Sequence, residues 1–265
     1  MTGRTADGTC YEITGERGPA VVLVHGLGLN RHAWQWQIKA IARDFRVVTY
    51  DLYGHGDSID PPEMPSLSLF ARQLDNLLNH LAIAKAAVAG FSLGGMIARR
   101  FAMDHPDRLW ALAVLHSAHG RDKAAHDAIQ ARVIQARAEG PGATVEAALQ
   151  RWFTEAFRNS NPDVMYLVRN WVVANRPGVY ADIYQVLVDG VTELISPNPP
   201  IQVPTLVMTG DEDYGNSAAM SRAIAGEIQG SSLVILPGLR HMALAEAPED
   251  FNRVLVGFLR SAHVQ

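Results

Sequence analysis

The sequence is poor in cysteine, in lysine and in long apolar runs. Its single cysteine, Cys10, excludes an internal disulfide and fits a reducing compartment. Lysine occurs only at Lys39, Lys85 and Lys123, and the formal net charge is −4. Such a balance argues against nucleic acid as the main partner, because phosphate binding wants a basic face. No run of about eighteen consecutive apolar residues occurs, so no membrane span is expected. The opening stretch MTGRTADGTCYEITGERG lacks the apolar core of a secretion signal. These absences lead to the expectation of a cytoplasmic protein with a small-molecule partner; no pattern specifies an oligomer.

What is present is ordinary globular chemistry: 265 residues, 48% hydrophobic and 19% charged. That length suits one large α/β domain, or such a domain with an insertion, and needs no disulfide or metal staple. Short apolar runs at 20–26 (AVVLVHG), 45–51 (FRVVTYD), 86–91 (AAVAGF) and 109–117 (LWALAVLHS) read as buried strands. Helical spacing separates them, clearest in Leu67, Phe70, Leu74, Leu77, Leu78 and Leu81. The alternation predicts a mainly parallel sheet covered on both faces. From 119 to 198 only helical patterns appear, ending in the proline-rich SPNPPIQVP. We expect a helical cap there, inserted between core segments 1–118 and 199–265. Strands at 203–210 and 231–238 and helices at 217–228 and 248–262 resume the first pattern.

Gly90-Phe91-Ser92-Leu93-Gly94 lies between a strand and a helix, where a tight turn would lift the serine hydroxyl above the sheet's carboxyl edge. A serine alcohol needs a base, and ten histidines compete for that role. His105 reads as a helix terminator, His32 as a cap, His55 as a turn residue and His263 as terminal; His80 and His126 sit on helices. His116 and His119 end the 109–117 strand and could line a site. Metal binding there is disfavoured, because no acids stand nearby at ligand spacing. His241 follows the last strand, on the side of the sheet where Ser92 emerges, and is the predicted base. Its acid comes from Asp211-Glu212-Asp213, with Asp213 favoured and Asp211 the runner-up. The loop VHGLGLN bends over the serine, so the amides of Leu27 and Leu93 are the predicted oxyanion donors, while His25 holds the loop.

HGLG at 25–28, DLYGHGDS at 51–58, GFSLGG at 90–95, GDED at 210–213 and RHMALAEAPEDF at 240–251 together resemble the α/β-hydrolase fold over the whole length. That resemblance implies an acid at the last residue of Gly-x-x-Asp, Asp213, and a base at His241. Two positions depart from the pattern: Tyr53 stands where arginine is usual, and Arg240 where glycine is usual. Each is expected to reshape the pocket mouth. The cap phrase with RWFT is similar to the 3-oxoadipate enol-lactonase branch, which implies a small ester or lactone bearing a carboxylate. Arg132, Arg151 and Arg169 are the candidate carboxylate partners, and Trp152 the candidate substrate-binding aromatic.

The expected reaction is serine hydrolysis of an ester or lactone through an acyl-enzyme on Ser92, with no cofactor and no metal. Carbon–carbon hydrolysis of an aromatic ring-cleavage product and amide or deformylation chemistry are the alternatives. A ligand receptor on the same fold is the non-enzymatic one. Asp in place of Ser92 would be required for a haloalkane dehalogenase or epoxide hydrolase.

Overall fold

Val21, Val22, Leu23 and Val24 are fully buried, as a strand covered on both faces requires. They belong to β3 (Ala20–Val24), which pairs in parallel with β4 (Arg46–Tyr50) on one side and β5 (Ala86–Phe91) on the other. The computed structural model describes residues 1–264. Its sheet has eight strands in the order β1-β2-β4-β3-β5-β6-β7-β8. The remaining parallel strands are β6 (Leu109–Leu115), β7 (Thr205–Gly210) and β8 (Ser232–Leu236).

Two strands escape the sequence reading. β1 (Thr2–Arg4) and β2 (Cys10–Thr14) pair antiparallel at the sheet edge. β1 is TGR and carries no apolar side chain, so it offers no periodic signal. The run at 20–26 is also longer than its strand, because His25 and Gly26 already belong to the following loop.

The helices cover both faces. α1 is Gln35–Ile41, and α2 (Leu67–His80) begins at Ser66, whose side chain accepts from the Leu69 amide. α2 buries Leu67, Phe70, Leu74, Leu77 and Leu78, the apolar stripe of its sequence. α3 (Leu93–Asp104) follows β5 directly. Between β6 and β7 come α4 (Lys123–Glu139), α5 (Val145–Trp152), α6 (Glu155–Ser160), α7 (Pro162–Val173) and α8 (Pro177–Asp189). α9 (Ala218–Glu227), α10 (Ala243–Glu246) and α11 (Pro248–Val264) complete the chain. None of these helices is long and apolar enough to cross a membrane.

Arg99, on α3, is buried and reaches both ends of the helical segment. Its guanidinium donates to the carbonyls of Ala118 (3.1 Å) and Leu194 (2.6 Å). The strand order reverses at β3, since the chain goes first to β4 and then across to β5. A crevice opens at the carboxyl ends of β3 and β5, where open α/β sheets bind ligands.

Candidate active site

Ser92 occupies that crevice in a conformation few residues adopt, with φ 56° and ψ −116°. The turn exists because its neighbours have no side chains. A Cβ on Gly90 would strike the Gly94 carbonyl, and one on Gly94 would come within 2.7 Å of the His25 carbonyl oxygen. The Ser92 backbone is held from β6: its amide donates to Leu115 O at 2.8 Å, and its carbonyl accepts from Ser117 Oγ at 2.9 Å. Strain of this kind persists only where the surroundings over-determine it.

His241 follows β8, and its Nδ1 lies 2.7 Å from Asp213 Oδ2 in the loop after β7. Asp213 Oδ1 accepts the amides of Gly215 (3.1 Å) and Asn216 (2.9 Å). With both oxygens accepting, the carboxylate is ionised and His241 carries its proton on Nδ1. Nε2 is then a free lone pair. Burial by itself would raise the Asp213 pKa, but the charge of His241 and the bonds from His116 and His241 outweigh it, leaving the group below the usual carboxylate range. The runner-up acid is occupied elsewhere: Asp211 Oδ1 accepts the Gly238 amide at 2.7 Å.

His116, considered from sequence as a lining or metal-binding residue, is a second partner of the same acid. Its Nδ1 lies 3.0 Å from Asp213 Oδ2, and its buried Nε2 has no hydrogen-bond partner. His116, Asp213 and His241 hold their ligand-type atoms within 4.8 Å of one another. A cation there would take Oδ2 and Nδ1 away from the hydrogen bond that orients His241. His119 turns away instead, to Glu227 at 3.0 Å.

The loop after β3 rests on two buried imidazoles. His25 Nδ1 donates to Gly26 O at 2.8 Å, and its Nε2 accepts the Leu52 amide at 3.0 Å. His55, read from sequence as a turn residue, accepts the Gly28 amide on Nε2 at 3.0 Å and donates from Nδ1 to Tyr53 O at 3.2 Å. The Leu27 and Leu93 amides donate to no acceptor among the described residues, and Leu93 opens α3, where the helix dipole favours negative charge.

Both imidazoles must be neutral to accept on Nε2. Burial pushes His25 down to about 4; burial, with the charge of His25 next, pushes His55 down to about 3. In the unfolded chain both take up a proton near pH 6.5, their ordinary value. Their contribution is therefore complete above pH 6.5 and is lost as the pH falls toward 4. His25 alone accounts for a loss on the order of 3 kcal/mol. Denaturant melts at pH 7, 5.5 and 4.5 should show a steady fall in midpoint; a flat profile would contradict this assignment.

Residues 19–248 match the α/β-hydrolase fold family. The chain belongs to it. A curated relative, (E)-2-((N-methylformamido)methylene)succinate hydrolase of Acinetobacter baylyi, is 27% identical over 92% of this chain and 91% of its own. The 3-oxoadipate enol-lactonase 1 of the same organism is 28% identical over 98% and 96%. The crystal structure of the enol-lactonase from Burkholderia xenovorans LB400 superposes with a TM-score of 0.89 at 30% identity, covering 98% of this chain and 100% of that one.

In this α/β hydrolase, Ser92, Asp213, His241 and Leu27 line one cavity of about 210 Å³. The Ser92 and His241 side chains share no hydrogen bond, although both residues line it. Trp152 forms part of the wall, its ring centroid 6.0 Å from that of His241. Of the three candidate arginines, Arg132 and Arg151 reach the cavity. Arg169 does not: it makes a two-pronged pair with Glu146, at 2.5 and 2.9 Å, away from the cavity. Arg121, in the loop after β6, joins Arg132 and Arg151 and was not singled out from sequence.

The two departures from the family pattern also lie outside the cavity wall. Tyr53 donates to Asp7 Oδ2 at 2.8 Å. Arg240 donates to the carbonyls of Gln150 (2.8 Å) and Phe153 (3.1 Å), tying the His241 loop to the end of α5.

Proposed function

We propose that this α/β hydrolase cleaves a small carboxylic ester or lactone bearing an anionic group, through an acyl-enzyme on Ser92. The observation that carries the reading is the convergence on one cavity of a strained serine, a histidine fixed by an ionised acid, and Leu27 with its unengaged amide, while Leu93, next to Ser92, opens α3 with its amide also unengaged. His241 Nε2 takes the Ser92 proton as Oγ bonds to the carbonyl carbon, and the carbonyl electron pair moves onto oxygen. The Leu27 and Leu93 amides donate to that oxyanion. Collapse breaks the bond to the leaving oxygen, which receives the proton from His241; in a lactone this oxygen stays tethered to the acyl chain. Water then attacks the acyl carbon, giving a proton to His241. The second collapse breaks the Oγ–carbon bond, releases the acid, and returns that proton to Ser92.

Ser92 and His241 close to hydrogen-bonding distance with substrate bound, as such pairs commonly do. Residues 119–198 act as a cap that closes the site, with Trp152 packing on the substrate beside His241. A cavity this small, below the usual range of about 300–1,000 Å³ for ligand pockets, favours a compact substrate.

A second reading, amide hydrolysis at the same serine, is favoured by the relative named for an N-methylformamido succinate. A panel of p-nitrophenyl esters of increasing acyl length, run beside an enol-lactone, an N-formyl amide and a dienol ring-cleavage product, separates them. The ester or lactone reading expects the highest kcat/KM on the enol-lactone or the shortest acyl esters. Turnover confined to the amide or the dienol would replace it.

A further inference from the structure

Arg121, Arg132 and Arg151 line the cavity over Ser92, and none of them is paired with a carboxylate among the described residues. Arg121 donates to Leu187 O (3.0 Å), Arg132 to Tyr184 Oη (3.1 Å) and Arg151 to Ala147 O (2.9 Å). Each thus spends one N–H on a neutral acceptor and keeps others in hand. Asp213 is the only acid in the wall, and its oxygens are engaged by two histidines and two amides.

The arrangement is costly without a counter-charge. Burial lowers Arg121 to about 10, and the charge of Arg132 adds to that; burial and then Arg132 act the same way on Arg151. Elsewhere on this chain an arginine near other charge has found its acid, as Arg31 has with Asp51 and Asp57 and Arg169 with Glu146. Three unpaired guanidinium groups around one small cavity therefore call for anionic charge from the ligand.

We infer that the substrate is dianionic: a compact dicarboxylate whose two carboxylates are held among Arg121, Arg132 and Arg151, with the scissile carbonyl at Ser92. A single carboxylate brings one negative charge to three unpaired cations in one wall. Two compensate most of that charge, and planar guanidinium groups suit bidentate carboxylate contacts. Tyr184 adds a hydroxyl whose proton is free for the same anion once its oxygen accepts from Arg132.

This inference rests on the proposed active site but is tested without turnover. Binding of glutarate and adipate to the unaltered enzyme is measured by calorimetry against pentanoate and hexanoate, which keep the chain length, lose one charge and contain no bond the enzyme would cleave. The diacid should bind at least tenfold more tightly, a difference of about 1.4 kcal/mol. That preference should fall with added salt and shrink severalfold in Arg132→Gln, whose melting temperature without ligand serves as the folding control. Equal binding of diacid and mono-acid, or no binding of either, overturns the inference. Fluorophosphonate labelling of Ser92 in the same preparation reports separately on the nucleophile, so the two ideas can fail independently.

Discussion

Ser92→Ala is expected to lower kcat on the best ester or lactone by roughly 10⁶-fold, with KM and melting temperature little changed. Removing the hydroxyl leaves the two oxyanion amides and the cavity in place, so a small residual rate over water persists. The same variant should lose all labelling by a fluorophosphonate probe. Labelling of the unaltered protein at Ser92 distinguishes an activated serine from an inert one, and therefore an enzyme from a receptor built on the same fold. Turnover surviving in Ser92→Ala would sink the acyl-enzyme mechanism outright.

Asp213→Asn should cost about 10⁴ in kcat, and the reason lies in which oxygen does what. Oδ1 accepts two backbone amides, from Gly215 and Asn216, which cannot change their hydrogens. The asparagine oxygen must therefore take that position, and its NH₂ must occupy the place of Oδ2. There it faces the Nδ1 atoms of His241 and His116, 2.7 and 3.0 Å from the present oxygen. Both rings are then forced to present a lone pair on Nδ1 and carry their proton on Nε2. For His241 this is the wrong tautomer, because Nε2, the proposed acceptor of the Ser92 proton, no longer accepts one. For His116 it places an N–H on a buried atom with no acceptor, so a modest loss of stability should accompany the loss of rate. A reduction below tenfold, with the fold intact, would show that another group orients His241.

The six parallel strands were legible because each is a short, mainly apolar run, buried throughout in β3, β5 and β7, and each ends in recognisable turn chemistry. Ser92 was legible for the same reason: Gly90 and Gly94 mark the place where backbone must pass close. β1 and β2 were not: TGR carries no apolar side chain, and CYEIT is short and interrupted by Glu12. The arginines of 119–198 show another limit. Arg132 and Arg169 both lie on helices, yet one faces the cavity and the other Glu146; helical phase decides this, and phase is set by what packs beneath. His116 and Arg121 carry no motif. Their importance comes from β6 ending next to β7, a fact of strand order rather than of local sequence. Conversely, Tyr53, conspicuous as a departure from a pattern, points to Asp7, while Arg240 reaches the end of α5 and lies over the ring of Tyr214, so it meets the cavity only through a wall residue.

The Arg99 contacts bear on how such a protein changes over generations. One side chain from α3, the helix that follows Ser92, grips residues 118 and 194, and it grips them by their backbone carbonyls. Every amino acid supplies a carbonyl, so the attachment is indifferent to which residues stand at either end. Sequence between the two anchor points can drift, lengthen or be exchanged without disturbing the grip or the serine turn in front of it. The anchorage of the helical segment and the identity of its residues are thus separable, held by backbone at its two ends and by side chains in between.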